Sequence, residues 1–189
     1  IIQDYGTAVT PPADPTREGY NFDGWSPSPI PATMPAENTV YRAQWKLKTY
    51  AITFDANGGT GGEVQTVNHG VTPTAPEVTR EGYTFVEWTP AIVAATGNAV
   101  YTAQWTINHY TMTFDSQGGT DVAPIIQDYG STVTPPANPT REGYNFTGWS
   151  PSPIPTTMPA KNTTYHAQWK IKTYTITFDA NGGTGGEVK

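Results

Sequence analysis

The chain repeats itself, and this constrains its fold more than any other feature. Residues 1–65 return at 125–189, an offset of 124 positions. The two copies differ at positions 7, 8, 14, 23, 32, 37, 40, 42, 47, 51 and 65, in first-copy numbers. A more diverged copy lies between them. Trp25, Trp88 and Trp149 mark equivalent places, 63 and then 61 residues apart. A fixed period of roughly 60 residues means tandem modules. Such arrays supply length, valency or a surface more readily than a single catalytic centre. A module this small buries only about 60% of the surface its unfolded chain exposes, so its core must be efficient. Aromatic side chains, each burying ~150–250 Å², provide that efficiency.

Three motifs recur in order. The first is Tyr50-Ala-Ile52-Thr-Phe54-Asp-Ala-Asn57-Gly58-Gly59, matched by Tyr110–Gly119 and Tyr174–Gly183. Tyr, Ile or Met, and Phe fall two apart, so they share one face of a strand while Thr lines the other. Asn-Gly-Gly then tolerates the positive φ of a tight hairpin turn. The second motif runs Arg17-Glu18-Gly19-Tyr20-Asn21-Phe22-Asp23-Gly24-Trp25, with partners at Arg80–Trp88 and Arg141–Trp149. Tyr20 and Phe22 are in phase and Trp25 is one residue out, which predicts a bulge at Gly24 and Gly148. Glu87 replaces that glycine in the middle copy and makes a positive-φ bulge less comfortable there. The third motif, Tyr41-Arg-Ala43-Gln-Trp45, returns at Tyr101–Trp105 and Tyr165–Trp169. Its Tyr, Ala and Trp point inward and its Gln outward.

A further strand is predicted at Glu63–Val67, before a turn at Asn68-His69-Gly70. The stretches Val9–Thr16 and Ser26–Pro31 are rich in proline, which removes backbone donors and holds φ fixed. Both read as extended connections, the first ending in one short turn. No segment shows helical periodicity over 11 or more residues.

Four residues separate each third-motif Trp from the Tyr that opens the next strand. These joints, Lys46–Thr49, Thr106–His109 and Lys170–Thr173, contain neither Gly nor Pro, so adjacent modules are expected to meet at a restricted angle. The phasing divides the chain into a module lacking its first strand (1–47), two complete modules (48–107 and 108–171) and the first hairpin of a fourth (172–189). The strand Thr173–Asp179 then has no partner in its own module, while residues 1–47 lack an opening strand. Head-to-tail self-association by strand addition between neighbouring molecules is the expectation.

A net charge of −6 and the absence of any Lys/Arg run argue against nucleic acid or an anionic membrane as partner. No apolar run approaches the ~20 residues of a membrane span, so no membrane insertion is expected. The chain opens mid-pattern without a leader, as expected of a fragment of a longer protein. Cysteine is absent, so disulfides do not staple the modules. Acidic, Thr-rich, Cys-free repeats suit a bacterial cell surface.

Candidate chemistry is sparse. All six Trp and all six Phe fall in the repeating framework, which favours a core role over a platform for sugar rings. Tyr5 and Tyr129 lie outside the three motifs and are the candidates for ligand contact. The loop Asp55–Glu63 offers oxygen atoms at alternating positions, but its spacing is that of a Gly-rich turn and not of a calcium loop. Arg17-Glu18, Arg80-Glu81 and Arg141-Glu142 face no second converging acid and read as a structural ion pair or as backbone hydrogen bonds at the turn. His69, His109 and His166 occupy unrelated module positions and make no metal-ligand spacing. No nucleophile triad or phosphate-binding loop is present. An internal Lys–Asn cross-link common to every module is ruled out, because no Lys occurs between Thr49 and Ile107. No catalytic, cofactor-binding or metal-binding residue is therefore assigned.

The series Y-x-I-T-F-D-A-N-G-G, T-R-E-G-Y-x-F-x-G-W and T-M-P-A-x-N-T-x-Y-x-A-Q-W resembles the Listeria–Bacteroides repeat, the family that includes the B-repeat of internalin-type surface proteins. The resemblance covers essentially the whole chain. The middle copy departs from it at Glu87 and over Ile92–Gly97, where Thr-Met-Pro-Ala is replaced. The resemblance implies a mainly β module, α+β and β-grasp-like, in a secreted or wall-attached bacterial protein. There such repeats lie between a recognition domain and the cell anchor. It carries over no catalytic residue. The expected function is a non-enzymatic stalk presenting a distal adhesin domain. The alternative is a direct, multivalent adhesive module for host-surface protein or glycan.

Overall fold

The structure is a computed structural model and describes residues 1–185. Residues 186–189 of the expected 172–189 hairpin lie outside the described residues. The chain divides into two units: Ile1–Arg80 with Thr84–Thr106, and Glu81–Tyr83 with residues 107 onward.

The first unit carries two sheets. β1 (Tyr20–Ser26) and β2 (Arg42–Leu47) form an antiparallel pair. β3 (Thr49–Asp55), β4 (Glu63–Asn68), β5 (Tyr83–Thr89) and β6 (Ala99–Ile107) form a four-stranded sheet in the order β4-β3-β6-β5. β3 runs antiparallel to β4 and parallel to β6, with Phe54 opposite Tyr101. The second unit repeats this sheet with β7 (His109–Asp115), β8 (Ile125–Asp128), β9 (Tyr144–Ser150) and β10 (Thr163–Ile171), in the order β8-β7-β10-β9. Here Phe114 lies opposite Tyr165. The opening motif, which forms no strand at Tyr174–Gly183, thus becomes a central strand paired on both edges at β3 and β7. That explains its apolar alternation and its run of Thr and Ile.

The α+β part of the sequence reading is corrected: the described residues are all β and contain no helix. A helix laid over the sheet would need a segment free of proline. The available segments are extended and pair with each other through single bridges, Ala8 with Thr33 and Thr132 with Thr157. In the second unit Met158 N donates to Ser131 O at 2.9 Å and Gly130 N to Met158 O at 2.8 Å. This turns the Met158 side chain onto the sheet, where it is 1% exposed. Extended chain therefore closes the open face, and proline dictates that outcome because it lacks the donors a helix requires.

Each four-stranded sheet has its own aromatic core. Phe54 is 1% exposed, meets Trp88 edge-on at 4.9 Å and stacks on Tyr101 at 5.4 Å. Phe114 makes the same contacts with Trp149 at 5.1 Å and Tyr165 at 5.5 Å. The bulge also falls where the out-of-phase Trp requires it. The β1–β2 register shifts between Phe22 and Trp25, with Gly24 at φ 100. The β9–β10 register shifts opposite Gly148, at φ 141. In the middle copy Glu87 is not in the positive-φ region, yet Trp88 is still buried.

Candidate functional site

The loop after β3 and after β7 is a turn. Asn57 and Gly58 have φ 49 and 83, and Gly59 N donates to Ala56 O at 3.0 Å. Gln117 and Gly118 take the same shape at φ 51 and 84. The preceding Asp is committed to that turn: Asp55 Oδ1 accepts from Asn57 N at 2.8 Å and Asp115 Oδ1 from Gln117 N at 2.9 Å. The turn sits inside a longer loop than the tight hairpin expected from the sequence, since β4 begins only at Glu63. The Gln117 amide, helped by a hydrogen bond from His166, holds the Asp115 carboxyl below its ordinary value of 3.8. Among the described residues no three His, Cys, Asp or Glu side chains gather as a metal site.

The Arg of the second motif serves this turn. Arg80 Nη1 donates to Asn57 O at 3.1 Å and Arg141 Nη1 to Gln117 O at 3.0 Å. Arg17 and Arg141 also lie over the rings of Tyr20 and Tyr144, at 3.9 and 4.0 Å. The backbone hydrogen bond, one of the two structural roles read from the sequence, is present at Arg80 and Arg141. Trp105 Nε1 donates to Ala56 O and Trp169 Nε1 to Ser116 O, both at 2.9 Å. Asn98 Oδ1 accepts from Ala51 N at 2.9 Å and Asn162 Oδ1 from Thr111 N at 2.8 Å. Asn, Trp and Arg thus clamp the opening strand and its turn in both complete modules.

Tyr5 is 78% exposed, whereas Tyr129 is half-buried in the second unit. The Tyr129 ring lies edge-on to Tyr83 at 6.2 Å and to Tyr110 at 6.5 Å. It covers Gly82, where an added Cβ would collide with the ring and where φ is +77. The backbone there forms a relay: Asn108 N donates to Gly82 O, and Tyr129 N to Asn108 O, both at 2.9 Å. In the first unit Lys48 N donates to Gly19 O at 2.8 Å, and His69 N to Lys48 O at 2.9 Å. The His69 ring covers Gly19. His69 and Tyr129 therefore occupy one module position, a correspondence hidden in the sequence by the change of residue type. The shared Asn/Asp-x-Gly turn around each, Asn68–Gly70 and Asp128–Gly130, was the signal that aligns them. Lys172 N donates to Gly143 O at 2.8 Å, and nothing lies within 4 Å of a Cβ built on Gly143.

Residues 1–47 hold a feature that sequence reasoning located only indirectly. A groove of about 330 Å³ opens along them, lined by Ile1, Val9, Trp25, Ile30, Met34 and Tyr41 among others. At the equivalent places in the second unit, Ile125, Val133, Trp149, Ile154, Met158 and Tyr165 surround Met112 and Phe114. Among the described residues, 1–47 form only the β1–β2 pair, with no strand corresponding to β7 beside this groove.

Two four-stranded all-β sheets of the same strand order, each with its own core, define a tandem-repeat protein. The chain belongs to the Listeria-Bacteroides repeat domain family, whose model matches residues 3–41, 50–108 and 110–168. It is 34% identical to internalin H of Listeria monocytogenes over 157 residues, 72% of this chain and 28% of that protein. It is also 29% identical over 215 aligned positions to a protein of Evansella cellulosilytica provisionally named a membrane protein. That match takes in 100% of this chain and 32% of the relative. The chain thus spans about a third or less of the length of these relatives. Among solved structures it resembles streptococcal high identity repeats in tandem, domains 3–4 of a cell surface protein. That likeness has 20% identity and a TM-score of 0.26, over 66% of this chain and 98% of the other.

Proposed function

We propose that this chain is part of the extracellular stalk of a bacterial cell-surface protein, a non-enzymatic spacer that holds a distal adhesive domain away from the envelope. The single observation that supports it most is the recurrence of the joint. Gly19, Lys48 and His69 make the same relay as Gly82, Asn108 and Tyr129. Repeating one hydrogen-bonded joint gives each added module a defined increment of length. On this reading the modules are 48–107 and 108–171, flanked by the partial modules 1–47 and 172–189. The order β4-β3-β6-β5 supports reading each such sheet as β-grasp-like, with extended chain in place of a helix. Arrays of increasing repeat number test the proposal by small-angle scattering. The maximum dimension should grow linearly with each module; a dimension that stops growing as modules are added would sink it.

The exposure of Tyr5 keeps a second reading in view, direct weak binding of host protein or glycan multiplied along the array. Binding of the chain to glycan arrays and host-cell surfaces separates the two. Saturable binding lost on Tyr5→Ala and Tyr129→Ala makes the repeats themselves adhesive. Binding no stronger than that of an unrelated β-repeat leaves the spacer role.

A further inference from the structure

We propose that Asn57 is a self-modifying site: attack of the Gly58 amide on its side chain releases ammonia and cuts the link between the turn and β6. This stands independently of the stalk reading. The chain holds two Asn-Gly pairs, Asn57-Gly58 and Asn181-Gly182. Asn57 and Gly58 are both exposed, so water reaches the first pair. The turn takes its hydrogen bonds from the amides of Asn57 and Gly59, which donate to Asp55 Oδ1 and Ala56 O. The Gly58 N–H between them donates to no described group. Glycine also has no side chain to shield that nitrogen. A nucleophile without a partner therefore lies next to a side-chain amide carbon in the same exposed turn.

The reaction balances with water as its sole co-reactant. The Gly58 nitrogen forms a bond to Asn57 Cγ and gives its proton to solvent. The Cγ–Nδ2 bond breaks, and Nδ2 takes up a proton and leaves as ammonia. The product is a five-membered succinimide ring. Water then adds to either ring carbonyl carbon, and the C–N bond breaks there. Opening at the main-chain carbon leaves iso-aspartate, in which the chain runs through the old side chain. Opening at Cγ leaves aspartate. The consequence for the fold follows from which atom departs. Asn57 Nδ2 is the donor to Ala103 O at 3.1 Å, across 46 residues of chain. Both products lack that nitrogen, and a carboxylate only accepts. In the iso-aspartate form the oxygen that Arg80 Nη1 holds at 3.1 Å also becomes part of a carboxylate, and the turn gains a backbone atom. The second unit is spared. Its equivalent turn has Gln117 before Gly118, at φ 51 where Asn57 has 49. The extra methylene of Gln enlarges the ring and slows the attack, and the Gln117 amide is turned to Asp115 and His166 instead.

The test is ageing of the full chain at mildly alkaline pH, read by peptide mass mapping and by urea unfolding. The peptide with Asn57 should gain the mass of an amide-to-acid exchange, with aspartate and iso-aspartate both present. It should do so many-fold faster than the peptide with Gln117; Asn181-Gly182 is followed in its own peptide. The urea midpoint should fall as the Asn57 peptide converts. Asn57→Gln places at this turn the residue that already occupies its equivalent in the second unit, so the turn is kept. From whatever midpoint that variant starts, it should not drift with age. Asn57→Asp should begin at a lowered midpoint. An Asn57 that converts no faster than Gln117 overturns the inference. So does conversion with no more drift than Asn57→Gln shows, or an Asn57→Asp chain as stable as the unchanged one.

Discussion

At the residue scale, close approach of backbone and ring decides which positions tolerate change. Gly82 and Gly143 both have positive φ, at 77 and 76, but only Gly82 carries a ring against it. Alanine at either position meets the left-handed penalty of ~1–2 kcal/mol. At Gly82 it must also displace Tyr129, an overpacking cost of ~1–3 kcal/mol. Gly82→Ala is therefore expected to lower the urea midpoint more than Gly143→Ala; equal shifts would show that the Tyr129 ring is not held at the joint. Asp115 provides a second check. The turn amide of Gln117 favours its charged form, so its folded-state pKa lies below 3.8. A depressed carboxyl contributes stability above its ordinary pKa and loses it as pH falls through the folded value. An NMR titration following the Asp115 carboxyl should find its midpoint below 3.8, and a midpoint at or above that value would contradict the turn geometry.

At the element scale, the opening strand of each module carries the core. Phe114→Ala removes the ring held between Trp149 and Tyr165 and is expected to cost ~3–5 kcal/mol in denaturant unfolding. A cost below about 1 kcal/mol would mean the ring is not core, because surface substitutions stay within that range. Trp169→Phe keeps most of the packing and removes the indole donor to Ser116 O, which still accepts from Gly119 N, for a loss of ~0.5–1.5 kcal/mol. The strand elements were largely legible in the sequence. Two-residue alternation located β3, β7 and the third-motif strands, and the phase slip at Trp25 located a bulge. The covering layer was legible only in part. Proline excluded a long helix from the connections, yet the family resemblance suggested α+β. The structure resolves the conflict in favour of proline, because a missing amide donor cannot be compensated by fold analogy.

At the scale of the whole molecule, one repeated pattern takes more than one form. The same sequence pattern that builds a core in residues 48–107 and 108–171 lies beside a groove in 1–47 and forms no strand at 173–179, where Tyr174, Ile176 and Phe178 are exposed. The repeat period, the framework aromatics and the turn residues are local properties, and the sequence by itself determined them. It could not tell Tyr129 from a surface tyrosine. That ring lies against Gly82, 47 residues earlier and in the second motif. Nor could it show that His69 fills the same place against Gly19, because ring position follows from the fold and not from residue type. Only the tertiary structure decided which side chains clamp the opening strand, since those hydrogen bonds join residues 23 to 53 positions apart. Alternation and turn propensity act over a few residues, whereas a joint or a groove exists only once distant strands have paired.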